Sequence, residues 1–189
     1  MARVFKGRPV VAGSCTAPAL VSHGGFNTLA SFQMAMMFGD KKVKCGDQNN
    51  PDLYKQPMKG KALCLPQTIG STTGGMVLYT ACATNNQPAC MLFSMTIDSL
   101  AASGAILADV WTDAKMPVVD ELGDEFLDYV QDGMTITVEP DGTVTFSRPF
   151  FFSADSMRSV QSFSCCFVRC GHPMKQSLGL ALGSFQTQG

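Results

Sequence analysis

A mixed β/α domain is the fold class that this 189-residue sequence predicts. Short apolar runs bounded by Gly and Pro recur along the chain, short helical segments sit between them, and an alternating hairpin closes the series. The hairpin is the clearest of the three signals. Met134, Ile136 and Val138 alternate with Thr135, Thr137 and Glu139, then Pro140-Asp141-Gly142 turns the chain and residues 143–146 alternate again.

Taken in order, residues 3–21 carry Val4, Phe5, Val10, Val11, Ala17, Leu20 and Val21 among Gly and Pro, which suits two short strands with a turn near Gly13. From 22 to 57 no period holds. SHGGFN, a Met-rich stretch ending at Phe38 and the polar run DKKVKCGDQNNPD read together as a long functional or interface loop. Residues 61–65 (KALCL) form a brief apolar strand stopped by Pro66. After the loop QTIGSTTGG, the run MVLYTACATN has the composition of a short helix. Residues 89–93 (ACMLF) read as a buried strand, 99–108 as a small-residue helix or a strand-edge segment, and Val118-Val119 as a further strand. Residues 124–131 (DEFLDYVQ) pair Phe126 with Val130 at i, i+4 and place acids in the first turn, a good short helix. Beyond Ser147 apolar clusters follow no sustained period. The expected organisation is one domain over 1–147 and a C-terminal appendage over 148–189.

Composition narrows the function classes. Lys and Arg total 14 against 15 Asp and Glu, and only 15% of residues are charged while 46% are hydrophobic, so the chain has material for a core and is not disordered. No basic block supplies the electrostatic footprint of nucleic-acid binding. No apolar stretch approaches the roughly 20 residues that span a bilayer, and MARVFKGRPVV lacks the apolar region of a secretory signal. A cytoplasmic protein with neither nucleic-acid nor membrane partners is expected. The eight cysteines, at 15, 45, 64, 82, 90, 165, 166 and 170, show no framework spacing and no C-x-x-C pair. They read as reduced thiols, and no metal site is expected in this chain. Cys165, Cys166, Cys170 and His172 do not match a zinc or iron–sulfur spacing, and Phe150-Phe151-Phe152 reads as packing. The acids Asp109, Asp113, Asp120, Glu121, Asp124, Glu125 and Asp128 read as a solvated helix face. Twelve Met and thirteen Phe beside so few charges leave apolar surface for a partner or an apolar ligand to cover.

The segment with the most chemistry is Gly70-Ser71-Thr72-Thr73-Gly74-Gly75, between a strand and a helix. Glycine lets the backbone approach a ligand closely, and hydroxyls at a helix N-terminus sit among free N–H donors that favour a carboxylate, a phosphate or an alkoxide. The same residues also fit an ordinary βα turn whose Ser and Thr only cap the helix.

Five ordered blocks resemble the swivel-domain, or small-subunit, family of aconitase X: FKGRPVVAGSCTAPALVSHGGFN, GKALCLPQTIGSTTGGMVLY, QPACMLF, ASGAILADVWTDAKMPVV and GMTITVEPDGTVTF. The resemblance implies a swivelling β/β/α domain with a mixed, β-barrel-like sheet and short helices. Such a domain forms one wall of a hydro-lyase site, completed by a larger subunit that carries any iron or iron–sulfur centre. It also implies Ser71 as the base that moves a proton during dehydration. Thr72 and Thr73 would bind a substrate carboxylate, and the Gly74 and Gly75 amides would hold an oxyanion. Gly70, Gly24, Gly25 and Asn27 would line the same cleft. His23 stands where the family has an aromatic residue, as a general acid/base or a hydrogen-bonded structural residue. Two departures stand out: Asn27 replaces an acid, and Ile69 replaces an arginine before the loop glycine.

Two functions follow. One is the small subunit of an aconitase-X-type dehydratase acting on a hydroxy acid such as cis-3-hydroxy-L-proline or a phosphorylated mevalonate. The other is a self-sufficient swivel domain, homo-oligomeric, that binds or converts an apolar metabolite as a cyclase or isomerase. A noncatalytic interaction module is the third possibility.

Overall fold

The computed structural model describes residues 3–147; the Cys165–His172 cluster, the phenylalanine run and the rest of the appendage lie outside the described residues. The strands are β1 (Val4–Lys6), β2 (Arg8–Val11), β3 (Cys15–Val21), β4 (Phe26–Asn27), β5 (Ala62–Leu65), β6 (Thr68–Ile69), β7 (Cys90–Phe93), β8 (Val118–Asp120), β9 (Thr135–Val138) and β10 (Thr143–Ser147). The helices are α1 (Thr28–Phe38), α2 (Gly74–Ala83), α3 (Ser99–Trp111) and α4 (Asp124–Tyr129). Among the described residues no helix is long and apolar enough to cross a membrane.

Eight strands make one mixed sheet in the order β1-β10-β9-β3-β5-β7-β8-β2. β3, β5, β7 and β8 run parallel, linked through α1, α2 and α3, while the hairpin β9–β10 pairs antiparallel with β3. The two outermost strands, β1 and β2, are consecutive in sequence with only Gly7 between them. The Gly7 amide donates to the Gly142 carbonyl at 3.0 Å. A Cβ on Gly7 would lie 2.4 Å from the Asp120 carbonyl oxygen, so both ends of the sheet meet at this residue and the architecture is barrel-like.

Strand alternation builds two cores. Leu63, Leu65, Met91 and Phe93 face the helices with Leu78, Ala81, Ala101 and Ala105. Ala62, Cys64, Cys90 and Leu92 face the opposite way, onto Ile136, Val138, Phe126 and Phe146. The fully buried runs of β5 and β7 are the continuous apolar segments that the parallel interior of a sheet requires.

Four expectations are corrected. Residues 3–21 form three strands rather than two, because Gly7 breaks the first run. The long loop over 22–57 contains helix α1, capped by Asn27 and closed by Gly39 in the left-handed region (φ 64°). Its buried positions, Thr28, Ser31, Phe32 and Ala35, have i, i+3, i+4, i+7 spacing, but two of the four carry hydroxyls, so hydrophobicity alone hides the period. The loop before α2 contains the short strand β6. Asp120 is not on a solvated helix face: it is fully buried in β8, accepts from Arg8 Nε at 2.9 Å and Nη2 at 2.6 Å, and also accepts from the Ile97 amide at 3.1 Å.

Candidate functional site

The connections that leave the C-terminal ends of β3, β5 and β7 lead into α1, α2 and α3, the place where open α/β sheets bind ligands. β4 and β6 pair in parallel, Phe26 with Thr68 and Asn27 with Ile69, and so tie the first connection to the second. Between them and α3 lies a cavity of about 230 Å³ lined by Thr28, Thr68, Ile69, Gly70, Ser71, Gly74, Asp98, Ser99, Leu100 and Ala101. The first turns of all three helices border it.

Three helix N-termini at one cavity concentrate partial positive charge without a basic side chain. Two of them are already capped. Asn27 Oδ1 accepts from the Ala30 amide at 3.1 Å, and Asp98 Oδ1 accepts from the Leu100 and Ala101 amides at 2.8 and 3.1 Å. Thr73, at the start of α2, makes no side-chain cap. The N-terminus beside Ser71 is therefore the one its own cap residue leaves open. The lining contains one carboxylate, Asp98, and no Lys, Arg or His.

Local geometry holds the loop. Gly70 has φ 116°, a conformation that favours glycine, and a Cβ there would lie 3.0 Å from Asn27 Oδ1. Ser71 is exposed; its Oγ accepts from the Thr73 amide at 3.3 Å and lies 3.0 Å from Thr73 Oγ1. Thr68 Oγ1 donates to Asp98 Oδ2, which fastens β6 to the start of α3.

The expected residues separate into groups. Gly70, Ser71 and Gly74 line the cavity; Asn27 touches Gly70, and Gly25 packs under Ile69, where a Cβ would lie 2.8 Å from Ile69 Cγ2. The Gly74 amide is occupied, donating to the Ser71 carbonyl at 2.9 Å. Thr73 engages Ser71. Thr72 and Gly75 line a different groove, between α2 and α3, where Gly75 meets the backbone of Leu100 and Gly104. His23 and Gly24 sit on a loop fixed by Asn50 and Asp52, and neither lines the cavity. The buried Asn50 donates to Ser22 Oγ at 2.9 Å, and Asp52 accepts from the His23 amide at 2.8 Å while the imidazole stays 67% exposed. Sequence reasoning missed Thr28, Thr68, Asp98 and Ser99. An acid directly ahead of a small-residue helix and just past a buried strand was the available signal for Asp98.

The donor set here, one carboxylate with hydroxyls, does not fit an iron or iron–sulfur centre, and among the described residues no three His, Cys, Asp or Glu side chains come together as a metal site. What the arrangement can do is bind an anionic or developing-anionic group at the α2 N-terminus with a serine hydroxyl beside it.

Residues 4–146 match the aconitase X swivel domain. The chain is 30% identical over 139 residues to the phosphomevalonate dehydratase small subunit of Methanocella arvoryzae, covering 74% of this chain and 93% of that one. It is also 30% identical over 101 residues to the subunit of the same name from Methanothermobacter thermautotrophicus, covering 53% and 71%. The crystal structure of Thermococcus kodakaraensis aconitase X in its holo form is similar at a TM-score of 0.64 and 26% identity, over 77% of this chain and 99% of that chain.

Proposed function

The chain belongs to the aconitase X swivel-domain family, and on that premise we propose that it is the small subunit of a dehydratase that eliminates water from a hydroxy acid, with Ser71 as the proton-transfer group. The observation that carries this reading is the position of Ser71 in a cavity where three helices begin, beside the one of those N-termini whose own cap residue makes no side-chain hydrogen bond. Of the two substrates that the resemblance suggests, a phosphorylated mevalonate is the one that the relatives' names support.

Serine is a weak base at its ordinary pKa, so its alkoxide needs stabilisation. The Thr73 amide, 3.3 Å from Ser71 Oγ, and the positive end of α2 supply it from this chain. The proton leaves the carbon next to the substrate carboxylate for Ser71 Oγ, the C–O bond to the hydroxyl breaks with its electron pair on oxygen, the departing hydroxide takes up a proton to leave as water, and a carbon–carbon double bond remains. A multiply charged substrate needs cations that this cavity's lining lacks, and this reading has a larger partner subunit supply them, together with any iron or iron–sulfur centre.

The test is co-expression with an aconitase-X-type large subunit, followed by native mass spectrometry and a dehydration assay. A heteromer whose turnover falls by about 10² in Ser71→Ala, with assembly intact, is expected. Unchanged turnover in that variant rejects Ser71 as the base. Activity of this chain on its own would replace the small-subunit reading with that of a self-sufficient swivel domain.

A further inference from the structure

The outer face of α2 and α3 exposes apolar side chains. Met76 is 65%, Val110 67% and Trp111 68% exposed. Where the helices cross, a groove of about 250 Å³ opens, lined among others by Met76, Tyr79, Leu107 and Trp111, and its lining contains no charged residue. The groove beside α1 differs, since Met34 and Phe38 share it with Asp40, Lys44 and Lys55.

Two features join the α2/α3 groove to the Ser71 cavity. Leu100 lines both. The glycine loop also alternates between them: Ser71 and Gly74 face the cavity, and Thr72 and Gly75 face the groove. A protein surface that closes over Ser71 therefore meets the groove across a shared wall. We propose that this uncharged groove is the docking surface for the larger dehydratase subunit, and that it receives an apolar, uncharged segment of that subunit with Met76, Leu107 and Trp111 as the anchors. The inference rests on the small-subunit reading above and adds to it the face that is used.

Trp111 is the chain's single tryptophan, so the full chain labelled with 5-fluorotryptophan carries one reporter, on the wall between the groove and a neighbouring pocket that holds Asp113. The groove variants below tell the two apart when the labelled chain is mixed with unlabelled large subunit. Binding is measured by native mass spectrometry, and the ¹⁹F resonance by its shift and its sensitivity to H₂O/D₂O exchange. The expected result is a heteromer in which the resonance shifts and loses solvent sensitivity. Met76→Lys and Leu107→Glu, each checked for folding by circular dichroism, should weaken assembly about tenfold or more. Val4→Lys, on the exposed strand β1, should bind like the unmodified chain. A heteromer with an unchanged resonance and undiminished binding by both variants overturns the docking surface and leaves the small-subunit reading standing. Failure of the unmodified chains to assemble overturns both. A resonance already shielded in the free chain shows the groove covered by this chain or a second copy, and that too overturns the proposal.

Discussion

Replacing Gly104 by alanine should loosen the helix layer. A Cβ on Gly104 would lie 2.1 Å from the Gly75 carbonyl oxygen, about 1.3 Å inside the 3.4 Å at which ordinary contact begins. The reciprocal Cβ on Gly75 would lie 2.3 Å from the Leu100 carbonyl oxygen. Both obstacles are helix backbone, which has no rotamer to move into. The helices must separate by about 1 Å along a seam where Leu78, Ala81, Ala101, Ala105 and Ala108 are almost free of solvent. Overpacking costs about 1–3 kcal/mol, and a backbone collision belongs at the upper end. Alanine returns about 1 kcal/mol through helix propensity. The net loss is about 2 kcal/mol, which lowers the melting temperature by roughly 4–8 °C in a protein of this size. Thermal unfolding followed by circular dichroism measures it directly. A Gly104→Ala protein that melts at or above the temperature of the unmodified chain refutes the close crossing.

Asp120→Ala removes the acceptor of the buried Ile97 amide and of Arg8, and should cost about 1–3 kcal/mol, read as a lower urea midpoint. Asp141 is held at about 2 by its hydrogen bond from Lys6, with help from the Thr143 amide and hydroxyl. Because the folded value lies below the ordinary 3.8, this carboxylate stabilises the fold fully above the ordinary range and loses that contribution as pH falls towards 2. NMR titration of its carboxyl should find the low midpoint, and a midpoint near 4 would contradict the pairing. Among Cys15, Cys45, Cys64, Cys82 and Cys90, iodoacetamide at pH 8 should label Cys15 first. A hydrogen bond involving Cys90 lowers its pKa, whereas burial raises Cys45 and Cys64 and pushes Cys82 up to about 11. Peptide mapping showing Cys64 or Cys82 ahead of Cys15 would reverse this order.

Sequence periodicity carried the elements whose burial follows hydrophobicity. β5, β7 and the β9–β10 hairpin stand at the expected positions because their apolar residues alone define a face. α1 escaped notice because Thr28 and Ser31 occupy buried turns. Asp120 escaped because a buried carboxylate looks like a surface acid until Arg8 is placed beside it, more than a hundred residues away in sequence. The candidate site followed the same division. The glycine loop announced itself through composition, and its position before a helix followed. The pairing of Asn27 with Ile69, the Thr68–Asp98 link and the convergence of three helix starts depend on strand order, which no local pattern encodes. The turn into α2 also sends Thr72 to the groove and Ser71 to the cavity, although they are adjacent in the chain.

The joining of β1 and β2 through Gly7 bears on the order in which the molecule can assemble. These strands come earliest in sequence among the described ones, yet β1 aligns Val4 with Thr145 and β2 aligns Arg8 with Asp120. During translation β2 stays without its partner until β8 has been made, and β1 until β10 has been made. The helices and parallel strands between them join through nearer contacts, whereas closure at Gly7 brings together segments from the two ends of the described domain. Contacts of such long sequence separation slow folding more than local propensity can hasten it. The strands on either side of Gly7 thus act as the latch of this fold, holding segments far apart in sequence.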